Sequence, residues 1–278
     1  MIPFDFEYYR PDTAMDAVDL FGRLESEGKN PVYYGGGSEL ISMARVGNLT
    51  YGAVIDLKGI PESRRIESVG EYLYLGSMLT LSELCEANPF PLLTKCAGRI
   101  ADHTMQCKIT LGGNLASAIY YRETALSLFV SDAFVTACGP EGIRRIPFTN
   151  VFGDGLRLKK GEFILSVEVE KRFLSAPYFH VKKTRNEKID YPLLTASGLK
   201  IDGKLRLALS GLCPFPFRNK DAEIVLNDGG LGFEARAEKI SALLSGIIFS
   251  DFYGSAEFRK YVLKNTICNI LSVMKDCE

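Results

Sequence analysis

The sequence predicts an α+β fold in two parts, on three observations. Two apolar stretches run into glycines and then into a helix start: Pro31-Val-Tyr-Tyr-Gly35-Gly36-Gly37-Ser38-Glu39-Leu40-Ile41 and Ile109-Thr-Leu-Gly112-Gly113-Asn114-Leu-Ala-Ser117. Lys171-Arg-Phe-Leu-Ser-Ala-Pro177 is polar and contains proline, which marks a linker. Beyond it, strand patterns come first and helix patterns last, the order of an α+β unit rather than an alternating α/β one.

Taken in order, Phe4–Tyr8 alternates and predicts a strand. Asp12 or Thr13 caps a helix with the apolar stripe Ala14, Ala17, Val18, Phe21 and Leu24, ending near Gly28. Val32–Tyr34 is a buried strand, Ser38 an N-cap for a helix over Glu39–Arg45, and Ala53–Asp56 a strand. Ile66–Ser68 and Tyr72–Leu75 form a hairpin across Val69-Gly70-Glu71. Thr80-Leu-Ser-Glu83 has the spacing of a capping box, and Pro91–Asp102 has helical apolar spacing. Thr124–Val130 reads as helix and Ala133–Ala137 as strand. Gly139–Gly142 turns into a strand around Arg145–Pro147, and Phe163–Val169 alternates as a half-buried strand. After the linker come strands Tyr178–Thr184, Leu193–Ile201 and Leu205–Leu212, the last two joined by the hairpin signal Asp202-Gly203. Helices follow over Phe233–Leu244 and Ser255–Met274, the second with Phe258, Tyr261, Val262 and Leu271 as its stripe.

Composition narrows the function. At 278 residues the chain can hold more than one compact unit, and a net charge of −1 gives no footprint for nucleic acid. No apolar run has the length of a membrane span, and the N-terminus lacks a signal-peptide pattern, so the expected location is cytoplasmic. The seven cysteines are scattered without a C-x-x-C pair and read as reduced thiols, mostly in cores. Cys107 is the one expected nearest a ligand. Only His103 and His180 are available for acid–base or metal chemistry, and both read as structural. A chain this poor in reactive side chains is suited to a borrowed cofactor. Adjacent glycines permit positive φ and bare N–H groups, and such a turn binds anions. Two of them would grip a phosphate-bearing cofactor from two sides.

At this point the pattern resembles the flavoprotein (medium) subunits of the molybdenum hydroxylases, the group of xanthine dehydrogenase and carbon monoxide dehydrogenase. Tyr34-Gly-Gly-Gly-Ser-Glu-Leu40 matches that family's first FAD turn and Thr110-Leu-Gly-Gly-Asn-Leu115 its second. Tyr253-Gly-Ser-Ala-Glu-Phe-Arg259, Pro11, Ile55-Asp56-Leu57 and Asp132-Ala133 fall at matching places. The resemblance implies a two-subdomain FAD-binding fold of the vanillyl-alcohol oxidase (PCMH) type over 1–173, divided near 57. A small C-terminal domain with an antiparallel sheet and helices would span 174–278. It implies noncovalent FAD, with the diphosphate on the backbone of Gly35, Gly36, Gly37, Ser38 and Glu39 and of Gly112, Gly113 and Asn114. The hydroxyls of Ser38 and Thr110 would assist, with Tyr34 and Leu40 flanking. Ile100 and Leu165 would supply apolar contacts, and Glu123 would meet sugar or ribityl hydroxyls. Lys182, Lys183, Arg185, Asp190 and Tyr191 would lie in the segment that approaches the isoalloxazine ring.

The same resemblance implies partners: a large subunit with the molybdenum cofactor and a small subunit with [2Fe–2S] clusters. Electrons would leave through FAD to NAD⁺ or another acceptor. The chain departs from the family at Tyr120-Tyr121-Arg122-Glu123, where relatives carry a Pro-small-small-Asp run, and at Cys107, where a basic residue is usual. Each feature also has a plainer reading. Glu123 suits the first turn of a helix, Tyr120 and Tyr121 suit packing, and Lys182, Lys183 and Arg185 suit a solvated strand face. A stand-alone flavin oxidoreductase of the same fold, and a scaffold subunit without tight FAD, are the alternatives.

Overall fold

The computed structural model describes residues 1–186 and 189–275, arranged as three sheets. The first comprises β1 (Glu7–Tyr9), α1 (Ala14–Ser26), β2 (Pro31–Tyr34), α2 (Ser38–Arg45) and β3 (Ala53–Asp56). The strands are parallel in the order β1-β3-β2. Thr13 caps α1 by accepting from the Asp16 N–H at 3.1 Å, and the helix buries Ala14, Ala17, Val18 and Leu24 against Ala53 and Ile55. The first strand starts three residues later than its alternation suggests. Phe4 and Phe6 instead stack edge-on against Tyr51, with centroids 5.2 Å away.

The second unit comprises β4 (Ile66–Val69), β5 (Tyr72–Gly76), α3 (Leu81–Ala87), α4 (Pro91–Ala97), α5 (His103–Gln106), α6 (Leu111–Ala116) and α7 (Thr124–Val130). It continues with β6 (Phe134–Gly139), β7 (Gly142–Pro147), α8 (Phe148–Val151) and β8 (Phe163–Glu170), and its antiparallel order is β4-β5-β8-β6-β7. The Thr80–Glu83 capping box opens α3 as expected. Two sequence expectations are corrected here. The helix from Pro91 stops at Ala97, because Ala101 takes a positive φ and Asp102 caps a new helix by accepting from Met105 N–H at 2.8 Å. The strand β8 is central rather than half-buried: its first seven residues are all buried. Its buried Glu168 is held by Arg145 at 2.6 Å and by the Thr136 hydroxyl. Within the segment read as a linker, Phe173 is fully buried in a 3-10 turn over Lys171–Phe173.

The third unit comprises β9 (Tyr178–Thr184), β10 (Pro192–Ile201), β11 (Lys204–Ser210), β12 (Phe217–Arg218), α9 (Lys220–Leu226), α10 (Phe233–Leu244) and α11 (Ala256–Met274). Its antiparallel order is β12-β11-β10-β9. Ser255, expected as the first residue of the last helix, caps it instead, and the expected stripe of α11 is half right: Phe258 and Tyr261 face solvent, while Val262 and Leu271 pack inward with Leu263, Ile267, Ile270 and Met274. With them goes Arg259, fully buried, donating to the carbonyls of Leu193 at 2.7 Å and Gly211, and to Asp251 at 2.5 Å. Helix α7 is buried along its whole length, and Leu199 and Ala208 of the third sheet join its apolar cluster.

Candidate functional site

The two glycine segments meet. A Cβ on Gly36 would lie 1.6 Å from the carbonyl oxygen of Lys108, and one on Gly35 would lie 2.7 Å from Thr110 Oγ1. Gly112 faces Ser77 just as closely, at 2.8 Å. Gly37 holds φ +71°, and the Tyr34 ring folds so tightly over it that a Cβ would stand 2.3 Å from a ring carbon. Across the junction, Glu39 Oε1 accepts from the Ala118 N–H at 3.0 Å, tying the start of α2 to the end of α6. A cavity of about 150 Å³ lies between the segments, lined by Tyr33, Tyr34, Gly35, Met78, Gly112 and Gly113. Ala116 and Leu156 connect it to a larger one of about 470 Å³ lined by Ser117, Tyr120, Arg122, Asp154 and Phe215.

The segments differ in how their amides are used, and this corrects the reading of both as positive-φ turns. Gly112 and Gly113 lie inside α6 without positive φ. Their N–H groups donate to Ser77 O at 2.7 Å and Thr110 Oγ1 at 3.1 Å, and Asn114 N–H donates to Thr110 O at 2.8 Å. Glycine is needed there for close packing against Ser77 and Thr110. At the first segment Gly37, not Ser38, is the N-cap, and no side chain caps α2. A glycine cap leaves the first-turn amides of α2 without a side-chain acceptor, at the positive end of the helix dipole. Asn114 accepts from the Thr124 hydroxyl at 2.6 Å through Oδ1, which leaves its amide nitrogen as the donor.

The remaining expected residues lie apart from these cavities. Ile100 is half-buried against the core of the second sheet, and Leu165 is buried in β8 with its carbonyl accepting from Ser77 N–H at 3.0 Å. Glu123 has both carboxylate oxygens engaged within the chain, by Lys182 Nζ at 2.8 Å and Thr195 Oγ1 at 2.6 Å. Burial pushes its carboxyl up, against the pull of the Lys182 ammonium. Lys182 is therefore interior, not part of a solvated face. Lys183 is exposed opposite Leu194, and Asp190 accepts from Asn186 Nδ2 at 3.2 Å and from Tyr191 N–H at 2.7 Å. Tyr191 stacks on Tyr121 at 4.9 Å, so Tyr121 is a packing residue, its hydroxyl pushed up to about 12 by burial. Cys107 is exposed beside Ser82 and His103 rather than in a core, and Cys277 falls outside the described residues. His180 is interior, bonded to Ser197 Oγ at 2.8 Å.

Sequence reasoning missed Lys58, whose Nζ donates to Gly35 O at 2.6 Å. Its signal is local: Asp56, at the end of β3, accepts from Lys58 N–H at 2.9 Å and so turns the chain back toward the glycines.

Residues 4–170 match the family model described as the FAD binding domain in molybdopterin dehydrogenase. The chain belongs to that family. Relatives of this FAD-binding protein include the carbon monoxide dehydrogenase medium chain of Hydrogenophaga pseudoflava, 28% identical over 79% of each chain. The nicotine 6-hydroxylase medium subunit of Paenarthrobacter nicotinovorans is 28% identical over 94% of each. A solved carbon monoxide dehydrogenase from H. pseudoflava superposes with a TM-score of 0.86 at 24% identity, covering 98% of both chains. Quinoline 2-oxidoreductase from Pseudomonas putida 86 gives 0.83 at 21%, covering 98% of this chain and 97% of that one. The α+β architecture with a PCMH-type FAD domain is thus the fold, FAD the cofactor, and the protein a component of an oxidoreductase.

Proposed function

We propose that the chain is the electron-exit subunit of a molybdenum hydroxylase, holding FAD between the two glycine segments. The observation that carries this is their junction: Gly35 against Thr110, Gly36 against Lys108, and Glu39 bonded to Ala118 around one cavity. The amides at the start of α2, which no side chain caps, suit a diphosphate, because backbone donors at a helix N-terminus hold negative charge without a dedicated cation. Gly112 and Gly113 keep the opposite wall thin, Thr110 and Ser38 offer hydroxyls, and Asn114 offers its amide. Bound FAD supplies electron exchange between iron–sulfur clusters of a partner and an acceptor such as NAD⁺. The molybdenum cofactor belongs in this reading to a large subunit and the [2Fe–2S] clusters to a small one, as the medium-subunit names of the relatives suggest. Nothing among the side chains at the junction forms a nucleophile–base pair, so this chain's part is to bind, orient and insulate.

The test uses the purified chain alone and with its partners. Alone it should retain FAD and accept electrons from dithionite or NADH, yet oxidise no purine, aldehyde or N-heterocycle. Adding the cluster and molybdenum subunits should give substrate-driven bleaching of the flavin. Turnover of such a substrate by the lone chain would favour the stand-alone oxidoreductase. A colourless chain that cannot be loaded with FAD would favour the scaffold.

A further inference from the structure

Lys58 stands beside the first glycine segment without belonging to it. Its Nζ donates to the Gly35 carbonyl at 2.6 Å, lies 2.8 Å from Asp56 Oδ1 and sits 4.4 Å from the centre of the Tyr34 ring. Asp56 is 3% exposed and is itself fixed, accepting from Lys58 N–H at 2.9 Å and from the Tyr8 hydroxyl at 2.5 Å. A lysine head is ordinarily a mobile, hydrated charge; this one is held by a buried carboxylate, a ring and a carbonyl.

The bond to Gly35 has a geometric consequence. In a trans peptide the carbonyl of one residue and the N–H of the next point in opposite directions, and the described residues contain no cis bond. Pinning Gly35 O toward Lys58 therefore turns Gly36 N–H away from it. Two glycines flank this peptide, so side-chain sterics do little to fix its orientation. Flipped, it would present a carbonyl dipole where an amide is needed for an anion. Asp56 neutralises the ammonium at close range, so Lys58 acts through the peptide and not as a free counter-charge.

We propose that Lys58 is a positioning residue for the cofactor's diphosphate. Asp56 and Tyr8 hold its ammonium, and the ammonium holds the Gly35–Gly36 peptide with an N–H, not a carbonyl, toward the anion. This rests on the reading of the first glycine segment as the diphosphate seat.

The experiment measures FAD, ADP and riboflavin binding to the apoprotein, by flavin fluorescence and, for ADP, by calorimetry. Lys58→Met should weaken FAD and ADP about tenfold or more, the size expected for losing a charged hydrogen bond, and leave riboflavin within about twofold. Lys58→Arg, which keeps the donors, should recover to within about threefold of wild type. Tyr8→Phe removes one hydroxyl from a residue that is 56% exposed and spares the fold. It should weaken FAD about two- to threefold in the wild-type background and not at all beside Lys58→Met, the non-additivity of groups acting in series. Equal FAD affinity in Lys58→Met and wild type overturns the proposal, and so does a loss shared equally by riboflavin. Should Lys58→Met fail to fold, the ratio of FAD to riboflavin affinity in Tyr8→Phe decides, an unchanged ratio overturning it. A wild-type apoprotein that binds none of the three ligands overturns the FAD reading, and this inference with it.

Discussion

A methyl group on Gly36 would sit 1.6 Å from the Lys108 carbonyl, a backbone atom, whereas one on Gly113 would meet only the Thr110 hydroxyl at 2.8 Å. The two glycines should therefore respond differently. Gly36→Ala should abolish flavin retention and lower the melting temperature by several degrees. Gly113→Ala should cost about 1 kcal/mol, the worth of the Thr110 cap it disturbs, and keep its flavin. Absorbance of the purified variants near 450 nm and thermal denaturation check both. His180 offers a pH prediction. Burial, with Arg99, Lys182 and Lys95 nearby, brings its imidazole down to about 4, and its Nε2 has no partner. The unfolded chain therefore takes up a proton near pH 6.5 that the folded chain refuses. Stability contributed by the neutral ring is complete above about pH 6.5 and is lost as pH falls toward 4, by about 3 kcal/mol in all. His180→Asn, which can keep the bond to Ser197, should flatten that slope in urea titrations between pH 4 and 6.5. At this scale the glycine segments were legible as motifs, but the close packing that requires glycine at Gly35, Gly36 and Gly112 was not, because the opposing atoms come from distant chain. Lys58 was not, because its role depends on a carbonyl 23 positions earlier.

Single elements show where patterning suffices and where tertiary contacts override it. Thr80–Glu83 announces α3 because a capping box is a local bargain between neighbours. Helix α11 is read half correctly, Val262 and Leu271 but not Phe258 and Tyr261 facing the core, because apolar spacing cannot say which face a sheet will cover. The buried face carries Arg259, whose guanidinium satisfies two carbonyls of the sheet beneath it. Glu123 is a joint between elements: it starts α7, reaches Lys182 on β9 and Thr195 on β10, and neighbours Thr124, which orients Asn114. Glu123→Ala should cost about 3–5 kcal/mol in urea denaturation, because it leaves the Lys182 ammonium buried without its counter-charge. FAD affinity, measured where the variant is folded, should change little. A loss of affinity with unchanged stability would instead place the carboxylate on a cofactor hydroxyl.

Across the whole molecule, the order of strands and helices was readable because each sheet is built from contiguous chain. The coupling between sheets was not, because it resides in α7, whose apolar positions face two sheets at once. A chain cut after Phe173 should accordingly expose Ala125, Leu126 and Leu128 where Leu199 and Ala208 now cover them. It should elute as aggregate in size-exclusion chromatography and bind an apolar dye, while the full chain does neither. The glycine junction carries a consequence for how the protein is made. Glu39 and Ala118 are 79 residues apart in the chain, and Gly36 and Lys108 almost as far. If, as proposed, that junction is the cofactor seat, then on the ribosome no seat exists until the second segment has left the exit tunnel and the intervening loop has closed, an entropic cost met without help from the ligand. On that proposal flavin loading should be a late step of synthesis, and from then on ligand concentration adds to stability in proportion to the logarithm of its excess over Kd. A cell short of riboflavin would see this subunit decline in amount, through turnover of its empty form, before it saw the enzyme slow.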